Sequence, residues 1–268
     1  MTEVVIVDSG GANLASIRFA FERLGVRAHV TVDGATIASA ERVVLPGVGA
    51  AAHAMERLHD AGLTTVLRTL TQPVLGICLG MQLLFQRSEE GDPSAGEVHS
   101  IDKRDTRADE VNPFEERGGP ASEEIHWFDR FSQENKRYPS PVARSAALPK
   151  APPRVAQGDA ASGTKCLGLL PATVRRLIPA RDRPIPHMGW NTLQKLSPDP
   201  LLEDVNESDY AYFAHSYAAP VTEHTLAVTD YGGASTAVVR RANFWGTQFH
   251  PERSSTTGER ILQNFLRL

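Results

Sequence analysis

The sequence predicts an open α/β sheet, parallel over its first half and extended by antiparallel strands over its second, with helices on both faces and one long irregular insertion. Three observations predict it. From residue 3 to about 87, short apolar runs alternate with stretches of helical period, and strands that are apolar throughout belong to a parallel sheet covered on both sides. After residue 164 strand-like runs follow one another through short turns such as Tyr231-Gly232-Gly233, which suits antiparallel hairpins. Between these halves, from about 91 to 164, prolines and charges accumulate with few aliphatics and no sustained period. Such a segment buries too little surface to offset its ordering entropy.

Each element has its own reason. VVIV (4–7), AHVTV (28–32), VVLP (43–46) and VLGI (74–77) are the early strands. Helical periodicity predicts helices over 13–24 and between 50 and 70, and an amphipathic helix over 79–87. Later strands are expected at 167–176, 187–193, 210–214, 225–230, 235–241 and 243–249, with a closing helix over 256–268. Within the insertion, Ile125-His126-Trp127-Phe128-Asp129-Arg130-Phe131 reads as a small aromatic element packed back on the parent domain, or as a docking patch. The whole chain, 1–268, is expected to be one domain carrying that insertion, and no internal repeat is visible.

Composition narrows the function. The 268 residues are 41% hydrophobic, ample for a packed core. Lysine plus arginine numbers 28 against 32 acidic residues, a net charge of −4, which argues against a nucleic-acid or anionic-membrane surface. Two cysteines, Cys78 and Cys166, exclude a disulfide scaffold and point to a reducing compartment. With no basic leader and no apolar run of about 18 residues, the expectation is a soluble, cytoplasmic protein.

The chemistry is expected at the end of a strand. Gly76-Ile77-Cys78-Leu79-Gly80 follows VLGI and opens a helix, the arrangement of a nucleophile elbow: a sharp strand-to-helix turn strains the central residue, so the residues two away must be tiny. The sulfur would stand at a helix N-terminus, where free amides and the helix dipole favour thiolate, and the Leu79 amide would face an oxyanion. A buried packing cysteine is the plain alternative, and it is the reading for Cys166. A cysteine nucleophile needs a base with an orienting acceptor. Gln248-Phe249-His250-Pro251-Glu252 offers both: Pro251 biases His250 toward the extended conformation, and residues two apart on an extended segment face one side. A second oxyanion donor is expected from Pro46-Gly47-Val48-Gly49, whose glycines would let an amide turn toward the carbonyl. An ordinary turn or a phosphate loop is the alternative there, but the lysine and hydroxyl of a P-loop are missing.

These residues resemble a family. LGICLGMQLLF, LPGVGA and QFHPE together resemble the class I glutamine amidotransferases, which hydrolyse glutamine to ammonia through a cysteine thioester on a flavodoxin-like mixed sheet. Within that family, VVIVDSGGANLASI, PHMGWN (186–191), FAHSY (213–217) and GTQFHPERSS (246–255) resemble the glutaminase subunits of imidazole glycerol phosphate synthases, over about 1–90 and 165–268. The resemblance implies Cys78 as nucleophile, His250 as general base and then acid, and Glu252 as orienting carboxylate. It implies an oxyanion hole from the amides of Val48 and Leu79. Glutamine's amino-acid end would be held by Gln82 and the backbone of His215, Ser216 and Tyr217, with Gly47 and Gly49 alongside. No metal or organic cofactor is implied, and the implied partner is a (β/α)8 cyclase subunit that receives the ammonia. Three departures stand out: Ser9 in place of the family's tyrosine, Ala12 in place of a glycine, and the insertion after Glu90. Other readings stay open at this point: another class I amidotransferase subunit or a stand-alone cysteine hydrolase, and a catalytically silent regulatory subunit.

Overall fold

The computed structural model describes residues 3–9, 14–90, 163–207 and 209–268. The chain begins β1 (Glu3–Val7), α1 (Leu14–Arg23), β2 (Arg27–Thr31), α2 (Gly34–Ser39), β3 (Arg42–Gly47), α3 (Ala51–Asp60), α4 (Leu63–Thr69), β4 (Val74–Cys78) and α5 (Leu79–Leu83). It continues β5 (Phe85–Ser88), β6 (Thr164–Lys165), β7 (Leu170–Arg176), β8 (His187–Thr192), β9 (Gln194–Lys195), β10 (Tyr210–His215) and β11 (Tyr217–Ala218). A hairpin of β12 (Thr225–Asp230) and β13 (Ala234–Arg241) leads to β14 (Phe244–Thr247) and the closing α6 (Ser255–Phe265).

The main sheet has eight strands in the order β2-β1-β3-β4-β14-β13-β12-β9. Its first five strands are mutually parallel and the last three antiparallel, as expected. The continuous apolar strands bury both faces. Val4 and Ile6 pack into a core with Ile17, Phe21, Ile261 and Phe265 of α1 and α6, while Val5 and Val7 enter a second core with Ile37, Ala54, Leu58 and Leu63 from α2, α3 and α4. Helices therefore cover both sides of the parallel half, the doubly wound arrangement. Among the described residues no helix is long and apolar enough to cross a membrane.

Several local expectations are corrected. The predicted helix over 79–87 stops at Leu83, and Phe85–Ser88 is strand β5. All five residues of α5 are buried, so the helix is not amphipathic; Phe85 pairs with Leu170, and that distant pairing overrides the local helical pattern. Strands expected at 167–176, 187–193 and 210–214 form but stay out of the main sheet. β7 joins a four-stranded sheet, β11-β7-β5-β6, and β8 pairs with β10 as a ribbon. The ribbon alternates buried and exposed residues, the pattern of strands with one face in water. Helix α2 was not expected from its six residues; its signal is local, Asp33 capping the Thr36 amide at 2.8 Å. Ala12 lies outside the described residues, as do residues 91–162 of the predicted insertion with the aromatic patch at 125–131; Gly163 and Thr164, expected within the insertion, are described, and Thr164 begins β6. The flanks of 91–162 are described, and they meet: Ser88 pairs with Thr164 in antiparallel register, and the Thr164 hydroxyl donates to the Glu90 carbonyl at 2.8 Å.

Candidate active site

Three neighbouring parallel strands, β3, β4 and β14, end at one edge of the sheet. Register places Gly47 beside Cys78 and Thr247 beside Ile77, so the glycine loop, the cysteine and the segment leading to His250 emerge together. Cys78 takes φ 54° and ψ −112°, a backbone region that costs an L-residue energy and persists only when its surroundings hold it. They do so through two glycines. A Cβ on Gly76 would come within 2.8 Å of the Gly80 carbonyl, and one on Gly80 would run into the Leu45 carbonyl. Gly47 is required for the same reason, since a Cβ there would lie 2.8 Å from the Gly80 amide. This corrects the expectation that both loop glycines serve rotation: Gly47 serves close packing, and only Gly49, at φ 82° with open space around it, has a conformational reason.

His250 is extended, at φ −97° and ψ 98°, but Glu252 sits on a single 3-10 turn, Pro251–Arg253. That turn, rather than an extended segment, folds the carboxylate back, and His250 Nδ1 donates to Glu252 Oε1 at 2.9 Å. Cys78 acts on the same ring. Burial pulls the imidazole's proton affinity down, but the hydrogen bonds to Cys78 and Glu252 and the charge of both outweigh it, and the pKa rises to about 10. An imidazolium is thus favoured beside the sulfur. With α5 only one turn long, its dipole contributes little by comparison. The sulfur also lies 3.8 Å from the Ala214 carbonyl oxygen and 3.9 Å from Gln248 Nε2.

Every residue expected from the sequence to serve in catalysis, the oxyanion hole or substrate binding lines one cavity of about 420 Å³. Cys78, His250 and Glu252 line it with Val48 and Leu79, as do Gly47, Gly49 and Gln82, and His215, Ser216 and Tyr217 form a further stretch of its wall. The wall is a corner where the chain leaves β10 for β11, passing from one sheet to another. Gln82 ties it to the elbow, donating to the Tyr217 carbonyl at 2.8 Å and to Gln248 Oε1 at 2.9 Å. His215 cannot serve as the base, because Nδ1 meets the Tyr217 carbonyl at 2.8 Å, Nε2 meets His187 at 3.0 Å, and burial lowers its pKa to about 4. Cys166 lies elsewhere, buried, and its thiol is pushed up to about 12 by burial and then by the charge of Glu90.

Comparison with known proteins decides the family. The family model for glutamine amidotransferase class-I matches residues 5–268. The chain belongs to this family. A relative from Xanthomonas euvesicatoria pv. vesicatoria, named imidazole glycerol phosphate synthase subunit HisH, is 41% identical over 100% of this chain and 98% of its own. One of the same name from Xylella fastidiosa (strain Temecula1) is 40% identical over the same shares. These relatives are nearly the same length as this chain, so the stretch after Glu90 does not set it apart from them in length. Two solved structures share the fold. One is a Thermoplasma acidophilum protein described as a GMP synthase component, with TM-score 0.56 and 13% identity, covering 100% of this chain and 93% of that one. The other is a glutamine amidotransferase, with TM-score 0.56 and 16% identity, covering 98% and 97%.

Two residues of this amidotransferase site went unassigned from sequence. Gln248 is fully buried and faces the sulfur; it stands two before His250 and so shares its side, which is a signal the sequence carried. Glu90 lines the cavity, with its pKa raised by burial against the opposing effect of a 2.6 Å bond from the Ala51 amide. Nothing local marks Glu90. Ser9, the departure from the family's tyrosine, is buried and its hydroxyl donates to the Pro46 carbonyl at 2.8 Å, so it tethers the start of the glycine loop.

Proposed function

We propose that this amidotransferase is the glutaminase subunit of an imidazole glycerol phosphate synthase, and that its roles follow the cavity's geometry. Cys78 attacks the carboxamide carbon of glutamine, forming a C–S bond, and the oxyanion is met by the amides of Val48 and Leu79. His250 gives its proton to the departing nitrogen, which leaves as ammonia with the electrons of the C–N bond. Water then adds to the γ-glutamyl thioester, His250 takes its proton, and glutamate leaves as the sulfur is regenerated. Glu252 keeps the imidazole oriented through Nδ1. Gln82 and the backbone at His215, Ser216 and Tyr217, with Gly47 and Gly49, hold the amino-acid end, and Glu90 supplies the carboxylate for its ammonium. The observation that carries this reading is the strained Cys78 sharing one cavity with an imidazole that is itself bonded to Glu252.

The ammonia is delivered to a (β/α)8 cyclase subunit, which forms imidazole glycerol phosphate and aminoimidazole carboxamide ribotide for histidine biosynthesis in the cytoplasm. The names of the relatives support a role within a larger synthase. A docking face lies at hand: Met188 and Trp190 of β8 are 64% and 38% exposed, and Met188 also lines the cavity. Such exposed apolar side chains around a cavity mouth suit a protein interface. The stretch from 91 to 162 is an insertion into this single domain, since the strands on either side of it pair; replacing it with a short Gly/Ser bridge should leave one cooperative melt, and an insoluble product would make it integral. For the partner, ammonia release is measured from the chain alone, with the cyclase subunit, and with the cyclase and its ribotide ligand. Turnover should rise by about 10²–10³ in the full complex, the value of one completed oxyanion donor. Full turnover by the chain alone would favour a stand-alone hydrolase.

A further inference from the structure

A pair of buried histidines meets at the cavity wall: His215 lines it, and His187 stands against His215. His187 ends the ribbon opposite His215, and both rings are almost wholly buried. His215 Nδ1 lies 2.8 Å from the Tyr217 carbonyl, which only accepts, so this nitrogen carries the proton. A neutral His215 must then accept at Nε2, and His187 Nδ1 donates to it at 3.0 Å. His187 Nε2 is left to accept, and Asn191 Nδ2 stands 3.4 Å away, itself held by the Asp230 carbonyl at 2.8 Å. The His187 ring stacks on Phe213 and Tyr231, with centroids 4.9 Å and 4.0 Å away, so it cannot easily turn. Burial keeps both rings neutral, helped at His187 by the charge of His215 and at His215 by the charge of His250, and this order of donors requires neutral rings. The chain of bonds ends on a carbonyl that also receives Gln82, whose amide meets Gln248 beside the sulfur.

We propose that His187 and His215 are positioning residues for glutamine: their one-way hydrogen bonds set the Tyr217 carbonyl, and through it Gln82 and Gln248, at the geometry that seats the substrate against Cys78. The proposal rests on the glutaminase reading and adds a tie from β8, the strand that carries the exposed Met188 and Trp190, to the substrate wall. The pair does not touch the reacting atoms, so it acts on how a glutamine-shaped molecule is held rather than on the sulfur's own reactivity.

The experiment compares two electrophiles at Cys78 in the full chain, read by mass spectrometry of the Cys78 peptide: a diazoketone analogue of glutamine and iodoacetamide. His187→Asn places an amide nitrogen where Nδ1 lies, while His187→Gln moves the donor one bond outward and His187→Leu removes it. The ratio of diazoketone to iodoacetamide rates should fall about tenfold or more in the Gln and Leu variants and stay within about threefold of wild type for Asn. A purely structural role would lower both rates together and leave the ratio unchanged, and that result overturns the proposal. Equal loss in Asn and Gln overturns it too. If the Leu variant aggregates, the Asn and Gln pair decides. Wild-type protein that reacts with iodoacetamide but not with the diazoketone would sink the glutaminase reading, and the positioning role with it.

Discussion

Two histidine clusters lie within electrostatic reach of each other, and the same burial leaves them in opposite states. His250 is buried and holds its proton up to about pH 10, because an acidic partner stands on each side of the ring. His187 and His215 are buried and release theirs near 3 and 4: burial lowers both, the charge of His215 adds to it at His187 and that of His250 at His215, and the bond to the Tyr217 carbonyl offsets only part of it. Desolvation acts in the same direction in both clusters. What differs is the sign of the charge opposite the ring, and that decides which imidazole can move a proton and which can only hold a shape.

Breaking the charged cluster should produce the largest effect. Cys78→Ala should bring glutamine hydrolysis to background, and His250→Ala should fall nearly as far, because members of such a unit are not additive. Glu252→Gln should cost less, since the orienting carboxylate is the more expendable member. Single-turnover assays of glutamate formation check the order, and His250→Ala activity comparable to wild type would move the base elsewhere.

Stability against pH should show the comparison with a smaller effect. In the unfolded chain His187 and His215 take up protons near pH 6.5, whereas in the folded chain they stay neutral until about 3 and 4. Between these values the unfolded state binds more protons, so stability falls as pH drops from about 6.5 toward 4, by a few kcal/mol for the pair. His250 does the reverse: its contribution is complete below about pH 6.5 and is lost as pH rises toward about 10. Urea midpoints across this range should show a shallower acid limb in His187→Asn and a flatter alkaline limb in His250→Ala. Parallel curves for the three proteins would remove the pKa basis of the comparison.

The smallest effect sharpens it. Asn191→Asp sets a carboxylate against His187 Nε2 and so gives the neutral cluster the charge that the other one has. Titration of His187 by NMR should move up by about one unit or more. An unchanged titration would mean that burial alone sets the state of the pair.

The sequence determined what depends on near neighbours in the chain. Apolar runs in β1, β3 and β4 announced strands buried on both faces, and Gly76 and Gly80 announced the elbow, because its steric demand falls on residues two apart. Cys78 stood out by the same local pattern, whereas His250 and Glu252 drew a proposed role only once their segment was read together with the elbow. Tertiary structure decided the rest. Phe85–Ser88 reads as helix until it meets β7, and Gly47 reads as a hinge until α5 packs within 2.8 Å of where its Cβ would be. His187 and His215 stand 28 residues apart, and nothing in either segment says that their rings will meet or that both will be neutral. Spacing along the chain fixes which groups are available; proton states and hydrogen-bond directions are set by what stands opposite, and only the fold chooses that.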